Sequence, residues 1–300
     1  MNTTDADASP LSLRFTLASA ASDVFALGKP RVTLMVLLTA LAGLYMAPAH
    51  PDLFVVVWAL AGTGLIVVGA NALNMYLERD LDRHMSRTRR RPLPAGRMAP
   101  WVALAFGLFA SVVAVPMLWV GAGPVTALLA AAANASYVLL YTPLKQRSWV
   151  ALLVGAVPGA VPPLLGWTAA TGHIDAGGLA LFGILFVWQI PHFHAIALFR
   201  LDEYTRAGLK VLPNQGGIGL TKAHILGSTL ALVAVTYAPL ALGMVRPWYG
   251  VAASLLNAAV LASAVYGLRP TAGVRWARSF FALSIPYLTL LVTALLAARS

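Results

Sequence analysis

Nine long apolar segments are the feature that most constrains what this chain can fold into. A helix needs about 20 apolar residues to cross the hydrocarbon core of a bilayer. Windows of this kind fall near 32–48, 53–77, 101–119, 125–141, 149–170, 178–199, 223–243, 248–267 and 279–297. Because backbone polar groups in lipid must be satisfied within the segment, each window is expected to be a helix. The sequence therefore predicts an all-α polytopic membrane protein with nine transmembrane helices in one bundle.

The composition agrees with this prediction and excludes several kinds of site. Hydrophobic residues make up 59% of the chain, charged residues only 10%, and the mean hydropathy is +0.78. The chain has no cysteine, which excludes disulfides, thiolate metal sites and covalent haem attachment. No polar stretch is long enough to separate two cores. We therefore predict a cytoplasmic tail over 1–30 and a single transmembrane domain over 31–300, with polar loops over 78–100 and 200–222.

The distribution of basic residues predicts the orientation of the helices. The net charge is +11, and the cytoplasmic loops of membrane proteins carry an excess of Lys and Arg. With nine spans and the N-terminus inside, 19 of the 21 basic residues are cytoplasmic, and only Arg246 and Arg299 lie outside. This asymmetry predicts a cytoplasmic N-terminus and an outer C-terminus, and it makes a nucleic-acid partner unnecessary. Without a signal or transit pattern, a bacterial inner (plasma) membrane is the simplest location.

Three of the ten acidic residues stand together at the end of the second span, in NMYLERDLD. A carboxylate at mid-bilayer costs about 2.5–3.5 kcal/mol, so such residues usually line a site. On a helix Asn74, Glu78 and Asp82 share one face, and Asp80 points away from it. Oxygen ligands without His or Cys suit a hard cation such as Mg²⁺. The alternative is a solvated helix end whose acids pair with neighbouring arginines.

A second acidic loop follows the sixth span, in WQIPHFHAIALFRLDEY. Its acids, Asp202 and Glu203, are expected to face the first group, because both polar loops lie on the same side. His192 shares a helical face with Glu203. A histidine inside a bundle is as often a hydrogen-bonding group between helices as a ligand. The spacing leaves both roles open for His192 and His194.

Basic residues near the two loops have the chemistry to bind a diphosphate. The run RHMSRTRRRPLPAGR follows the first acids, and topology alone would account for Arg89 to Arg91. Arg87, five residues beyond the last of these acids, is better placed to bind an anion that the metal also binds. Lys145 and Arg147, in YTPLKQR, lie on the same side. A carboxylate-held metal with Arg and Lys suits a diphosphate, whereas nucleotide hydrolysis lacks a Gly-rich phosphate loop.

These motifs resemble those of a known family. NMYLERDLDRHMSRTRRRPLPAGR is similar to the first signature of the haem O synthase (protoheme IX farnesyltransferase) branch of the UbiA-type intramembrane prenyltransferases. The pattern of that superfamily is matched by Asn74, Glu78, Asp82, Arg87 and Thr88. Further matches are YTPLK, GAVPPLLGW and WQIPHFHAIALFRLDEYTRAGLKVLP. The resemblance extends over the second to the seventh helix.

The resemblance implies a nine-helix bundle whose two acidic loops bind Mg²⁺ and the diphosphate of farnesyl diphosphate. The family usually has Asp where Glu203 stands, so Asp202 beside it is a second candidate. The implied site consists of the metal ligands Glu78, Asp82 and Glu203, the further catalytic residues Asn74 and Asp202, and the substrate-binding residues Arg87, Tyr141, Lys145, Arg147, His192 and Arg206. His192 is the residue expected to contact haem.

The implied reaction transfers farnesyl to a vinyl group of haem b, with addition of water, to give haem O and diphosphate for terminal oxidases. It requires charge neutralisation at the leaving group and a dry cavity around an allylic cation. The implied partners are farnesyl diphosphate, haem b and the lipid bilayer, with a haem A synthase or an oxidase assembly as a further one. Two alternatives stay open: prenylation of a quinone-precursor aromatic, and a cation-coupled transporter.

Overall fold

The structure is a computed structural model that describes residues 21–300, and helices account for nearly all of that range. The first two helices, α1 (Ala21–Leu27) and α2 (Pro30–Met46), meet at a bend of 47°. Lys29 lies in the bend and has a φ of 47°, in the left-handed region. Pro30 then opens α2, because a proline at the first helical position needs no N–H donor. By length and composition the pair is one broken span.

Eight further helices are long and apolar enough to cross a membrane. In chain order the helices are α3 (Leu53–Leu77), α4 (Arg79–Asp82), α5 (Pro100–Ala122), α6 (Pro124–Ala135), a π-helical turn (Ser136–Tyr141), α7 (Thr142–Leu144), α8 (Ala151–Thr171), α9 (Ala176–Phe199), α10 (Leu201–Arg206), α11 (Leu212–Gln215), α12 (Gly217–Thr236), α13 (Ala238–Ala241), α14 (Trp248–Gly267) and α15 (Val274–Ala297). Three spans are composite or bent: α1 with α2, α6 with α7, and α12 with α13. The described part of the chain therefore has nine spans when the bent pair counts as one, which confirms the predicted number.

The helices α12 and α15 begin more than one helical turn earlier than the hydropathy windows predicted. α12 begins at Gly217 instead of 223, and α15 begins at Val274 instead of 279. The extra turns contain charged residues such as Lys222, whose ammonium donates to the main-chain carbonyl of the loop before α15. A charge lowers the local hydropathy without interrupting the backbone ladder, so hydropathy alone placed these starts too late.

Most of the predicted tail over 1–30 lies outside the described residues, but its last part is joined to the bundle. The Asp23 carboxylate accepts bonds from the Arg97 guanidinium at 2.9–3.2 Å. Leu27 is fully buried. The Asn71 side chain donates to the main-chain carbonyl of Gly28 at 3.1 Å. These contacts attach α1 to α3 and to the loop before α5, beside the start of α2.

α2 and α8 cross so closely that their backbones touch. A Cβ atom added to Gly43 would overlap the main-chain carbonyl of Pro163, and one added to Gly166 would overlap that of Ala40. Small residues allow this approach in membrane bundles, where dispersion contacts between helices supply much of the association energy. The crossing fixes α2 against α8, and with it the position of Lys29 at the start of α2.

We expect Gly43→Ala to destabilise the bundle by about 3 kcal/mol, the upper end of the usual range for overpacking. The added methyl group meets backbone, which cannot rotate away as a side chain does. Gly64→Ala is the matched control, because its Cβ would lie 3.6 Å from the Leu37 side chain, an ordinary contact. Thermal unfolding in detergent measures the difference. Equal melting temperatures for the two variants would contradict this account of the crossing.

Candidate active site at one end of the bundle

The first acidic motif forms a continuous face despite a break in its helix. Glu78 separates α3 from α4 with φ −95° and ψ 5°. Its N–H still donates to the Asn74 carbonyl at 2.9 Å, and the Asp82 N–H donates to the Glu78 carbonyl at 2.8 Å. Asn74, Glu78 and Asp82 are 1%, 7% and 0% exposed. The Asp80 side chain, by contrast, is 71% exposed, as the helical spacing predicted.

Each buried carboxylate is paired with a cation from another segment. Lys145 Nζ lies 2.7 Å from Glu78 Oε1, and Arg91 Nη1 lies 2.7 Å from Asp82 Oδ2. The Lys145 ammonium also lies over the Tyr141 ring, 4.2 Å from its centroid. Charge-assisted hydrogen bonds are roughly twice as strong as neutral ones. These pairs therefore hold α4, the loop that contains Arg91 and the end of α7 next to one another.

Lys29 brings a third basic side chain to the same place. Its ammonium donates to Asn74 Oδ1 at 2.8 Å, and Asn74 Nδ2 donates to Thr142 Oγ1 at 3.1 Å. The Thr88 hydroxyl donates to the main-chain carbonyl of Asp82 at 3.0 Å. Three basic side chains thus surround two carboxylates. A largely enclosed place lined by basic side chains favours an anionic ligand.

The π-helical turn positions the basic part of this site. The fourth transmembrane segment winds as a π-helix over Ser136–Tyr141 before it ends in α7. The Thr142 hydroxyl bonds back to the carbonyl of Tyr137 at 2.8 Å. A π-helix has more residues per turn than an α-helix, so it changes the direction of the side chains that follow, and such turns occur often at functional sites. Here the turn leads directly into Tyr141 and Lys145.

The oxygen atoms of Asp82 and Glu78 fit a hard divalent cation. Asp82 Oδ1 is enclosed and finds no hydrogen-bond partner among residues 21–300. A buried acceptor without a partner costs about 1–3 kcal/mol, so this atom favours a cation next to it. Mg²⁺ is usually held by one or two carboxylates together with substrate phosphates. Glu78 and Asp82 have the chemistry and the proximity for that role.

Glu203 is held by a different set of partners. Its Oε1 accepts from the Ser86 amide at 3.0 Å and the Ser86 hydroxyl at 2.8 Å, and its Oε2 accepts from Arg200 at 2.7 Å. The Ser86 hydroxyl, ahead of Arg200, keeps the pKa of the Glu203 carboxyl below its usual value. Within the described range no three His, Asp or Glu side chains converge to hold one ion. The predicted three-ligand set of Glu78, Asp82 and Glu203 is therefore not gathered in this structure.

The remaining loop residues of the prediction lie at the exposed rim of the same end. Arg87, Arg147, Asp202 and Arg206 are all exposed. A cavity of about 410 Å³ opens there, lined by Phe199, Arg200, Asp202, Glu203, Arg206 and Arg278. Asp202 and Arg206 line this cavity. Arg87 and Arg147 do not line it.

His192 and His194 have contrasting surroundings. His192 Nδ1 lies 2.7 Å from the Ser284 hydroxyl of α15. The rings of Trp188 and Phe281 lie 4.6 and 4.8 Å from the His192 ring, centroid to centroid. His194 is 1% exposed, and both of its ring nitrogens are enclosed without a partner in the described chain. The two histidines of the PHFH motif therefore differ in their hydrogen bonding, since only His192 has a partner in the described chain.

Sequence reasoning missed several residues that the structure brings to the site. Lys29 and Ser86 were not singled out, and Arg91 was left in a run for which topology alone would account. Each of the two basic residues stands next to a local feature of the sequence. Lys29 precedes the proline that opens a span, and Arg91 precedes Pro92 at the end of the basic run. Ser86 and Glu203 are 117 residues apart, and no local spacing relates them.

The Ser86 amide provides a direct measure of the contact between the two loops. We expect Glu203→Ala to speed its hydrogen exchange by roughly 10- to 150-fold, because a hydrogen bond to a charged group contributes about 1.5–3 kcal/mol. Asp202→Ala is the matched control, since that carboxylate is exposed. The lowered pKa means that the contact is complete at neutral pH and is lost as pH falls through the pKa of folded Glu203. Unchanged exchange in Glu203→Ala would contradict the contact.

Comparison with known proteins identifies the family to which this site belongs. The sequence profile of the UbiA prenyltransferase family matches residues 36–285. The chain belongs to the UbiA prenyltransferase family. Three members of high similarity are each named protoheme IX farnesyltransferase. That of Sorangium cellulosum is 56% identical over 240 residues, covering 79% of this chain and 85% of the relative.

Two of these UbiA family relatives match almost the whole chain. The protein of Anaeromyxobacter sp. strain Fw109-5 is 47% identical over 293 residues, covering 98% of this chain and 97% of its own. That of Myxococcus xanthus is 47% identical over 279 residues, covering 93% and 95%. The resemblance to this branch of the UbiA family, drawn from the motifs, is confirmed.

Solved structures share the UbiA fold. A structure of digeranylgeranylglyceryl phosphate synthase has a TM-score of 0.81 at 12% identity, covering 93% of this chain and 98% of that one. A UbiA homologue from Archaeoglobus fulgidus bound to GPP and Mg²⁺ has a TM-score of 0.63 at 15% identity, covering 92% and 100%. At these identities the comparison establishes the fold of the chain and no more.

Proposed function

We propose that this protein transfers the farnesyl group of farnesyl diphosphate to a vinyl group of haem b, with addition of water, to give haem O and diphosphate. The observation that carries the prenyl diphosphate part is the enclosed pair Glu78 and Asp82, bracketed by Lys145 and Arg91 at 2.7 Å each. The name shared by relatives up to 56% identical supports haem b as the acceptor. The homologue solved with GPP and Mg²⁺ supports the proposal that this fold binds a prenyl diphosphate together with Mg²⁺.

The reaction makes two demands on the chain. The bond between farnesyl C1 and the diphosphate oxygen breaks, C1 bonds to the vinyl group, and water adds to the resulting cation with loss of a proton. Negative charge therefore grows on the diphosphate while positive charge grows on carbon. The site must stabilise the negative charge on the diphosphate, and it must keep other nucleophiles away from the positively charged carbon.

The residues at the site divide these tasks. Lys145 and Arg91 bind the diphosphate oxygens, and Lys29 adds a third positive charge nearby. Glu78 and Asp82 would hold Mg²⁺, and the unpartnered Asp82 Oδ1 is the atom that most favours it. Bound Mg²⁺ supplies positive charge against the leaving diphosphate. Asn74 accepts a hydrogen bond from Lys29 and donates one to Thr142. These bonds keep the first residue of the helical face that carries the two carboxylates in place.

The cavity at the end of α9 supports an acceptor with carboxylate groups. Arg200, Arg206 and Arg278 are among its lining residues, and arginine binds carboxylates in a planar, two-pronged geometry. Haem b carries two propionates and fits this charge. Glu203 and Asp202, in the same wall, orient the arginines in our proposal. A quinone-precursor aromatic is the alternative acceptor within the family, and family membership leaves the transporter without independent support.

We place this chemistry at the cytoplasmic face of a bacterial inner membrane. All the cations of the site lie on the side that the 19-to-2 distribution of basic residues assigns to the cytoplasm. The product would pass to a haem A synthase or to a terminal oxidase during its assembly. The orientation can be tested by labelling cysteines introduced at single positions in the cysteine-free chain.

The test is an assay of the purified protein in detergent with haem b, farnesyl diphosphate and Mg²⁺, read by mass spectrometry. We expect hydroxyethylfarnesyl haem from the wild type, and none from Glu78→Gln or in the presence of EDTA. Asp80→Asn, at an exposed position two residues away, is the control and should form product. Prenylation of 4-hydroxybenzoate instead of haem would establish the alternative acceptor. No prenyl transfer to either acceptor would overturn the proposal.

A further inference from the structure

We propose that His192 binds the iron of the acceptor haem through Nε2, in a tautomer set by Ser284. The inference rests on the proposed function, because haem b is then the substrate. It assigns His192 an axial-ligand role, in which the histidine holds the macrocycle at its centre and leaves both vinyl groups at the periphery free. The argument starts from the hydrogen bonds of Ser284.

The Ser284 hydroxyl decides which nitrogen of His192 carries the proton. Its Oγ lies 2.7 Å from the Phe281 carbonyl oxygen and 2.7 Å from His192 Nδ1. A hydroxyl has one proton to donate, and a carbonyl oxygen can only accept. The hydroxyl proton therefore goes to the Phe281 carbonyl, and the Ser284 oxygen accepts from His192 Nδ1–H. In the neutral imidazole the remaining nitrogen, Nε2, then carries a lone pair.

This is the arrangement found in metal-binding histidines. One ring nitrogen of such a histidine almost always donates its N–H to an oxygen, which fixes the tautomer and the ring orientation and raises the basicity of the other. A single imidazole is sufficient as the protein ligand of a haem iron, since the macrocycle supplies the other four nitrogens. The pair His192 and Ser284 thus suits iron in a porphyrin, whereas a bare ion would need more ligands than this group provides.

Neighbouring side chains hold the His192 ring in a fixed orientation. The Trp188 ring stacks on it with an interplanar angle of 27°, and the Phe281 ring approaches at 40°. Trp188 Nε1–H donates to the Ser284 carbonyl at 2.9 Å, so α9 and α15 are joined by two hydrogen bonds around the imidazole. The ring position is therefore set by packing and hydrogen bonds before any ligand arrives, which favours binding.

Accessibility separates His192 from His194. His194 is 1% exposed and both of its ring nitrogens are enclosed, whereas His192 is 8% exposed and its Nε2 has no hydrogen-bond partner among the described residues. The Phe281 ring, which contacts His192, also contacts Phe199 at 5.5 Å, and Phe199 lines the arginine-rich cavity. The imidazole and the cavity are therefore linked through one aromatic side chain. Iron at His192 and propionates at Arg278 would lie along this path.

The test is the optical spectrum of purified protein titrated with haem b, without farnesyl diphosphate. We expect a Soret shift typical of histidine ligation in the wild type and its loss in His192→Gly. Added imidazole should restore the shift in His192→Gly beyond the shift that it causes in protein-free haem in the same detergent, and the melting temperature of the variant shows that it is folded. His173→Ala is the matched control, because that histidine side chain is 64% exposed in a loop, and it should bind as the wild type does.

Ser284→Ala provides a second, milder variant. Without the acceptor for Nδ1–H, we expect haem affinity to fall by about 10- to 100-fold, the usual effect of removing the hydrogen-bond partner of a metal ligand. Ser284→Thr, which keeps a hydroxyl, should recover most of the affinity. An unchanged Soret spectrum in His192→Gly would overturn the inference, even if turnover fell. Wild-type protein that neither binds nor converts haem would overturn the proposed function itself.

Discussion

Asp82→Asn is expected to lower kcat/KM for farnesyl diphosphate by about 10²- to 10³-fold, the scale measured when one electrostatic group of an active site is removed. The substitution keeps the size of the side chain but removes the charge that Arg91 and a bound Mg²⁺ both require. Among the described residues it also changes the one carboxylate that is completely buried, at 0% exposed, and whose Oδ1 lacks a protein partner. Initial rates over a range of substrate and Mg²⁺ concentrations measure the effect.

Asp80→Asn is the matched control for this prediction. It makes the same chemical change two residues away, at a side chain that is 71% exposed and forms only long surface pairs with arginines at 3.6–3.8 Å. We expect its kinetics to match the wild type. Because an unpaired Arg91 could destabilise the fold, melting temperatures of both variants accompany the assay. A well-folded Asp82→Asn protein with more than a tenth of wild-type activity would rule out a metal-binding role for this carboxylate.

Arg91→Gln is expected to weaken binding of the diphosphate by roughly 10- to 150-fold, because a hydrogen bond to a charged group contributes about 1.5–3 kcal/mol. Arg91 is the one arginine of the run that reaches a fully buried carboxylate, and its own side chain is only 22% exposed. The inhibition constant of inorganic diphosphate, the product, isolates this effect from the chemistry at the acceptor. The KM for farnesyl diphosphate should rise in parallel.

Arg90→Gln separates a specific contact from the general charge of the loop. Arg90 is exposed and adjacent in sequence, so the variant changes the net charge by the same amount. We expect its inhibition constant to stay within about twofold of the wild type, as for a surface charge screened by solvent. Similar losses in both variants would mean that the loop acts through its overall positive potential, and Arg91 would lose its assigned role.

The amino-acid sequence by itself determined the membrane architecture. Nine apolar windows predicted nine helical spans, because a segment in lipid has no alternative to a helix that satisfies its own backbone. The same local rule predicted that Asn74, Glu78 and Asp82 share a face and that Asp80 leaves it, and the structure agrees although a break falls at Glu78. Predictions of this kind succeed because the helical period relates residues that are close in the chain.

Only the tertiary structure decided which charges meet. Lys29 reaches Asn74 across 45 residues and Lys145 reaches Glu78 across 67, and these pairings depend on helix crossings such as that of α2 with α8. The structure also bound Glu203 to Ser86 instead of adding it to the predicted metal ligands. An ion pair or hydrogen bond depends on a few ångströms between groups remote in sequence. Hydropathy and helical period determine which residues face inward, but the packing of the bundle sets those distances.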